Sequence, residues 1–252
     1  MPVARFVHVH TSGRFDADVA DVRADWDDYR TTPGVKLITG TEHGSGDHDP
    51  AFEADGWDYV RKGECVAAWD TTVFELAWAP SLTLIGTPYF RGGNENSRTK
   101  LLSVPLRHLA TGRVVMVRVA HTPAHVQAGD GFRRTTVRVI RQAAGWMTGL
   151  AAWGRRSARF RRHHPHAAEV ATADWNVDLL RRHWRALIRR TLNLRCAWTK
   201  HLPSRGSHGR RLIDGVFYRL LKVVAAWVLP EGRSSDHRAV ATKFEITPKE
   251  TR

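Results

Sequence analysis

The apolar residues of this chain come in short runs that end on chemically active side chains, and one such run constrains the rest. Residues 167–171 form a short apolar stretch that reads as a buried strand. It leads into Ala173-Asp174-Trp175-Asn176, and a helical pattern starts near Val177. Successive side chains on a strand point to opposite faces, so Asp174 and Asn176 share one face and Trp175 takes the other. A carboxylate and a carboxamide are thereby expected at the carboxyl end of a strand, the edge at which open α/β sheets carry their chemistry. In isolation such an Asp is usually only a helix cap or a solvated turn. Partners elsewhere in the chain change that.

Residues 3–9 alternate as a strand ending at His8-Val9-His10-Thr11, and residues 16–29 carry Val19, Val22, Trp26 and Tyr29 at helical spacing. Pro33-Gly34 stops that helix, and residues 35–38 form a second strand with Thr41-Glu42-His43 at its end. This strand–helix–strand opening belongs to a layered α/β fold. Residues 44–58 are polar and turn-rich. Asp47, His48 and Asp49 within them read as a solvated loop rather than a cation site.

Short strands at 64–69, 72–78 and 82–85 suggest an antiparallel meander. Arg91-Gly92-Gly93-Asn94 opens a loop, and strands at 100–106 and 113–120 follow, the second running into His121. Residues 131–150 read as a helix with Val137, Ile140, Ala144 and Met147 on one stripe. The basic segment 155–166 reads as a loop. A helix at 177–191 and strands at 194–198, 212–217 and 239–246 complete a second half that repeats the plan of the first. No linker or short repeat interrupts this order, so residues 1–252 are expected to form one domain.

Composition narrows the class. With 42% hydrophobic residues and ten Trp the chain can fill a substantial core. No apolar run of membrane-spanning length occurs, and residues 1–10 lack the apolar centre of a signal peptide. Cys65 and Cys196 show neither disulfide-scaffold nor metal spacing. A reduced, cytoplasmic monomer is the expectation. Residues 1–60 hold 5 Lys+Arg against 12 Asp+Glu, while 61–252 hold 34 against 13. The excess is mostly Arg, which suits bidentate phosphate contact, and a polyanionic partner follows, nucleic acid with DNA favoured over RNA.

The strand-end polar residues, in order, are Glu42, Glu64, His121, Asp174 with Asn176, Asp214, and Asp236 with His237. They sit in Thr39-Gly40-Thr41-Glu42, Val117-Arg118-Val119-Ala120-His121, Ala173-Asp174-Trp175-Asn176, Ile213-Asp214-Gly215-Val216-Phe217 and Ser235-Asp236-His237-Arg238-Ala239-Val240. This ordered set resembles the endonuclease/exonuclease/phosphatase superfamily, which includes deoxyribonuclease I, and it spans nearly the whole chain. The resemblance implies a four-layered α/β sandwich of two mostly antiparallel sheets flanked by helices, with a divalent metal in a cleft at one end. It also implies cleavage of phosphate esters: nucleic-acid backbones, inositol phosphates or sphingomyelin.

Carried onto matching positions, the resemblance makes Glu42 the principal Mg²⁺ ligand, with Mn²⁺ as the alternative, and Asp236 a support of the metal site. Asp174 and Asn176 would align the attacking water and the phosphate. His237, oriented by Asp214, would be a general base or phosphate binder, and His121 with Glu64 the opposing acid. Phosphodiester hydrolysis brings a nucleophile toward an anion, so a divalent cation must offset charge. Water loses a proton and the leaving oxygen gains one, which calls for groups titrating near neutrality. Arg155, Arg156, Arg159, Arg161 and Arg162 would grip flanking phosphates.

One departure stands out. Where the family commonly carries Asn on the first strand, this chain offers His8, a softer ligand suited to Zn²⁺, Mn²⁺ or Ni²⁺. Either the metal preference is shifted or His8 hydrogen-bonds a ligand. The expected activity is a metal-dependent nuclease, most simply an endonuclease. Its rivals are a phosphatase or phosphodiesterase of small molecules or lipid headgroups, and a non-catalytic binding module.

Overall fold

The computed structural model of the chain describes residues 3–44, 46–86, 98–123 and 137–248. The first strand, β1 (Ala4–Ser12), buries nearly all of both its faces. Val7 and Val9 point to one side and Phe6 to the other, so the strand must lie between two layers. The helix α1 (Val19–Thr31) follows, capped by Asp18, whose carboxylate accepts from the Ala20 amide at 2.7 Å. It returns the chain to β2 (Val35–Thr41), parallel to β1. Gly34, at φ 81°, makes the turn between them.

Two sheets stack face to face. The first has the order β12 (Lys222–Glu231), β13 (Arg238–Ile246), β1, β2, β4 (Cys65–Asp70), β3 (Trp57–Lys62). The second runs β10 (Arg195–Cys196), β11 (Asp214–Arg219), β9 (Ala168–Asp174), β8 (Val114–His121), β7 (Thr99–His108), β5 (Phe74–Leu76), and β6 (Ser81–Ile85) pairs with β7 as well. All pairings are antiparallel except one in each sheet, β1 with β2 and β8 with β9. Each parallel pair is joined through a helix, α1 in the first case and α3 (Val137–His163) in the second. The two halves thus repeat one plan, as the sequence pattern predicts.

Helices cover the outer faces, giving the four layers. On the first sheet α1 and the short α2 (Asp49–Phe52) bury Trp26 and Phe52, whose rings meet at 4.6 Å. On the second, α3 packs beside α4 (Arg182–Leu192) through Gly154, where a Cβ would stand 2.4 Å from the Thr191 carbonyl oxygen. Trp153 of α3 stacks on Trp175 at 5.2 Å and 8°, both fully buried. Truncating a Trp in such a place costs about 3–5 kcal/mol. This stack, more than helix propensity, decides where α3 lies.

Several expectations need correction. The supposed meander at 64–85 is split: β4 belongs to the first sheet, β5 and β6 to the second. The turn-rich segment 44–58 contains α2 and runs into β3, an edge strand whose half-exposed side chains show no apolar alternation. The inward stripe of α3 is Trp146, Leu150 and Trp153, not Met147, which is exposed because Gly149 sets the close face against Thr99. The basic segment at 155–163 is helix rather than loop. The helix expected from Val177 starts at Arg182, because the Asp178 side chain holds a turn by accepting from the Leu180 and Leu212 amides. The strand expected at 194–198 is only Arg195–Cys196, followed by a turn of 3₁₀ helix. The loop at 91–94 and the first residues expected in the α3 helix, 131–136, lie outside the described residues.

Candidate active site

Both sheets present the carboxyl ends of their parallel strands to the same edge of the sandwich. On the first sheet Ser12 is in register with Thr41, one residue before Glu42; on the second, His121 is in register with Asp174. β11 and β13, antiparallel to these strands, begin at the same edge with Asp214 and, just before Arg238, with His237. Residues more than two hundred positions apart in the chain therefore converge, because every one of them ends or begins a strand at one edge.

Two backbone bends aim the key groups. Glu42, just after β2, and Asn176, just after β9, adopt φ 58° and 52°. This left-handed conformation costs a Glu about 1–2 kcal/mol, a strain typical of functional sites. Gly40 and Gly13 are required nearby, since a Cβ on either would strike the His43 ring at 2.5 and 2.7 Å. Asp174 Oδ1 accepts from the Asn176 amide (2.8 Å), and the Asn176 carboxamide donates to the Thr122 carbonyl (3.0 Å). Trp175 points the other way and donates to the Gly215 carbonyl at 3.1 Å, as strand alternation predicts.

Ligand atoms of Glu42, Asp174 and His237 all lie within 4.8 Å of one another. His237 is held from behind: its Nδ1 donates to Asp214 Oδ2 at 2.8 Å, and Asp214 Oδ1 accepts from Ser12 Oγ at 2.7 Å. Asp214 is fully buried and its amide donates to Ser207 Oγ. Facing this pair, His121 donates through Nδ1 to Glu64 and through Nε2 to Glu42 (3.2 Å), while Lys100 Nζ sits 2.9 Å from the other Glu64 oxygen. The resemblance paired Glu64 with His121, and the two are hydrogen-bonded here.

The charges are mutually dependent. Burial opposes a cationic His121, but hydrogen bonds to Glu42 and Glu64 outweigh it and raise the imidazole to about 10. Burial likewise opposes a charged His237, and Asp214 beside it prevails and raises it. Asp214 is held below the usual carboxylate range: burial pushes it up, and the His237 cation more than reverses that. Asp174 moves the other way, raised by burial and then by the negative charge of Asp214. Asp174 is therefore short of positive charge at the point it shares with Glu42, whose own partner is His121. A hard divalent cation, which takes carboxylate oxygens, fits that donor set.

Some expected residues stand elsewhere. Asp236 is largely exposed and takes a hydrogen bond from His208 Nε2 at 3.3 Å, in a second group with His237 rather than beside Glu42 and Asp174. His8 is not among either group of ligand atoms; it lies between the sheets, with Nε2 2.8 Å from Thr39 Oγ1. Burial, followed by the neighbouring His10, holds His8 well below the ordinary imidazole range. Arg161 is committed to Glu169 (2.5 Å) and to the Leu192 carbonyl. Asp49 is paired with Arg61, so the 47–49 segment gathers no ligand group among the described residues.

Other residues were missed. β1 continues past Val9, and His10 and Ser12 reach Asp214, the former at 3.9 Å through Nε2. Extending the alternation by one more pleat would have found Ser12. Thr39, between the His8 and His10 rings, bridges to Thr172 of the opposite sheet at 3.2 Å. Lys100 and His208 carried no signal, since each is placed by packing between segments distant in sequence.

No family model and no curated protein matches the chain. Solved structures do match. An endonuclease/exonuclease/phosphatase family protein from Bacteroides thetaiotaomicron superposes with a TM-score of 0.68 at 15% identity, over 97% of this chain and 96% of that one. The mannosyl-6-phosphatase of the same bacterium gives 0.68 at 14%, over 95% and 99%. D. rerio TDP2 complexed with a single-strand DNA product gives 0.65 at 12%, over 96% and 99%. The chain has the endonuclease/exonuclease/phosphatase fold. A shared fold does not by itself carry an activity across.

Proposed function

We propose that the chain is a divalent-metal-dependent hydrolase of phosphoric esters, acting on nucleic-acid phosphodiesters and most simply as an endonuclease. The observation that carries this reading is the meeting of Glu42, Asp174 and His237 within 4.8 Å, with Asp214 behind the imidazole. Glu42, with Asp174 beside it, would hold Mg²⁺ or Mn²⁺. The cation would offset charge on the phosphoryl oxygens and promote ionisation of water.

The chain's own groups divide the remaining work. Asp174 and Asn176, locked together through the Asn176 amide, align the attacking water with the phosphorus. His237, steadied by Asp214, binds the phosphoryl oxygens. His121, gripped by Glu42 and Glu64, faces the opposite side and gives a proton to the leaving oxygen as its bond to phosphorus breaks. Proton transfer of this kind contributes roughly 10²–10⁴-fold.

Supercoiled plasmid incubated with Mg²⁺ or Mn²⁺ provides the test. The native protein nicks it, and Glu42→Ala, with an unchanged circular dichroism spectrum, does not. Equal nicking by the variant refutes the reading. A second reading, a phosphatase of small esters, draws on the sugar phosphatase among the similar structures. Turnover of sugar or inositol phosphates with no action on DNA or RNA would select it.

A further inference from the structure

The arginines that the sequence offers as substrate grips are not at the cleft. α3 leaves the cleft level at Trp146, whose Nε1 donates to the Trp175 carbonyl at 2.9 Å. At 1.5 Å per residue, Arg155 to Arg162 lie roughly 14–24 Å further along the helix. The chain then turns into the start of β9, the end of that strand remote from Asp174. These side chains therefore belong to the opposite pole of the molecule.

That pole is built for an anion. The last turns of α3 carry Arg155, Arg156, Arg159, Arg161 and Arg162, the end of α4 packed beside them carries Arg189 and Arg190, and neither helix contains an Asp or Glu. Arg155, Arg156 and Arg159 are exposed, repel one another at helical spacing, and make no ion pair among the described residues. Together with Phe160, His163 and His164 they line a groove of about 690 Å³. Beside it the His164 ring stacks on Phe160 at 4.8 Å and on Trp78 at 5.0 Å, and Trp78 is 40% exposed.

We infer that this groove is a docking site for single-stranded nucleic acid, separate from the hydrolytic cleft. An arginine-lined channel tracks the phosphates, and exposed aromatic rings give unpaired bases a stacking platform. A membrane surface suits it less well. Interfacial helices turn an apolar face outward, whereas the described outward face of α3 carries arginines, with Met147 its large exposed apolar side chain.

The test measures binding without hydrolysis, so it stands or falls apart from the hydrolase reading. A fluorescein-labelled 15-nucleotide oligo(dT) is titrated in EDTA by fluorescence anisotropy from 50 to 200 mM salt. The triple variant Arg155→Ala, Arg156→Ala, Arg159→Ala should bind at least tenfold more weakly. Its plot of log affinity against log salt should be shallower by about 2. The matching triple Lys variant should keep the native slope, and Trp78→Ala should weaken single-strand binding about tenfold while sparing duplex. Undiminished binding by the triple Ala variant overturns the assignment. So does binding of anionic vesicles without binding of the oligonucleotide, or a preference for duplex indifferent to Trp78.

Discussion

The cleft and the outer face of α3 and α4 are both densely charged, yet they are organised in opposite ways. In the cleft the ionisable groups are buried or half-buried, and most are tied to a partner: Asp214 to His237 and Ser12, His121 to Glu42 and Glu64, Lys100 to Glu64. On the helical face, Arg155, Arg156, Arg159 and Arg162 are exposed and of one sign. The cleft is assembled from the ends of eight strands scattered over the chain; the helical face comes largely from one continuous segment. A buried network fixes position and is costly to disturb, whereas exposed like charges act by summed field and are screened by salt. The first arrangement suits bond chemistry at one atom, and the second suits holding a long anion without choosing a particular phosphate.

That contrast is open to direct attack. The largest effect is expected at Asp214, which touches neither solvent nor the proposed substrate. Asp214→Asn should lower hydrolysis by about 10²–10⁴-fold and shift the pH–rate profile, since it removes the charge that raises His237. A native profile in that variant would erase the distinction between positioned and merely present charge. The next largest concerns stability. Glu169 is fully buried and serves both Arg118 and Arg161. Glu169→Ala should cost about 3–5 kcal/mol in urea denaturation, because it strands a buried guanidinium. By comparison, Arg156→Ala on the exposed face should stay within about 0.5 kcal/mol. Equal costs at the two sites would break the comparison.

A smaller, pH-dependent effect sharpens it further. His8 and His10 lie buried between the sheets and are held neutral: burial lowers both, His10 to about 4. In the unfolded chain each titrates near 6.5. The unfolded state therefore takes up protons that the fold refuses. Stability is full above about pH 6.5 and falls as pH drops toward 4, by roughly 3 kcal/mol for His10 alone. Urea midpoints between pH 7.5 and 4.5 check this, and His8→Gln should flatten the decline. An identical pH slope in the variant would remove His8 from the account.

Much of this could be read without coordinates. The strand–helix–strand openings, the two-half plan and the strand-end places of Glu42, His121, Asp174, Asp214 and His237 follow from local patterns. Apolar alternation, a helix cap at Asp18 and the Pro33-Gly34 break each act over a few residues, so their meaning survives in a linear string. Glu64, read at the start of a strand, took its place in the set from the family resemblance. The readings that failed depended on facing and depth. His8 and Ser12 share one face of β1, but only the register of β1 against β2, and the reach of Asp214 across from β11, place Ser12 at the cleft and His8 below it.

Arg161 shows the same limit from the other side. Its neighbours Arg159 and Arg162 point outward, while a turn of helix brings its own guanidinium to Glu169 and the Leu192 carbonyl. Residue types at strand ends, read with the family resemblance, were enough to name a set of donor groups, because a carboxylate or an imidazole has the same donor atoms wherever it lies. Folding alone decided where each charge would stand. The burial of Trp146 and Trp153 orients α3, and that orientation carries an arginine run away from the cleft to the opposite pole. A helix has no address until its apolar face has found the sheet that covers it.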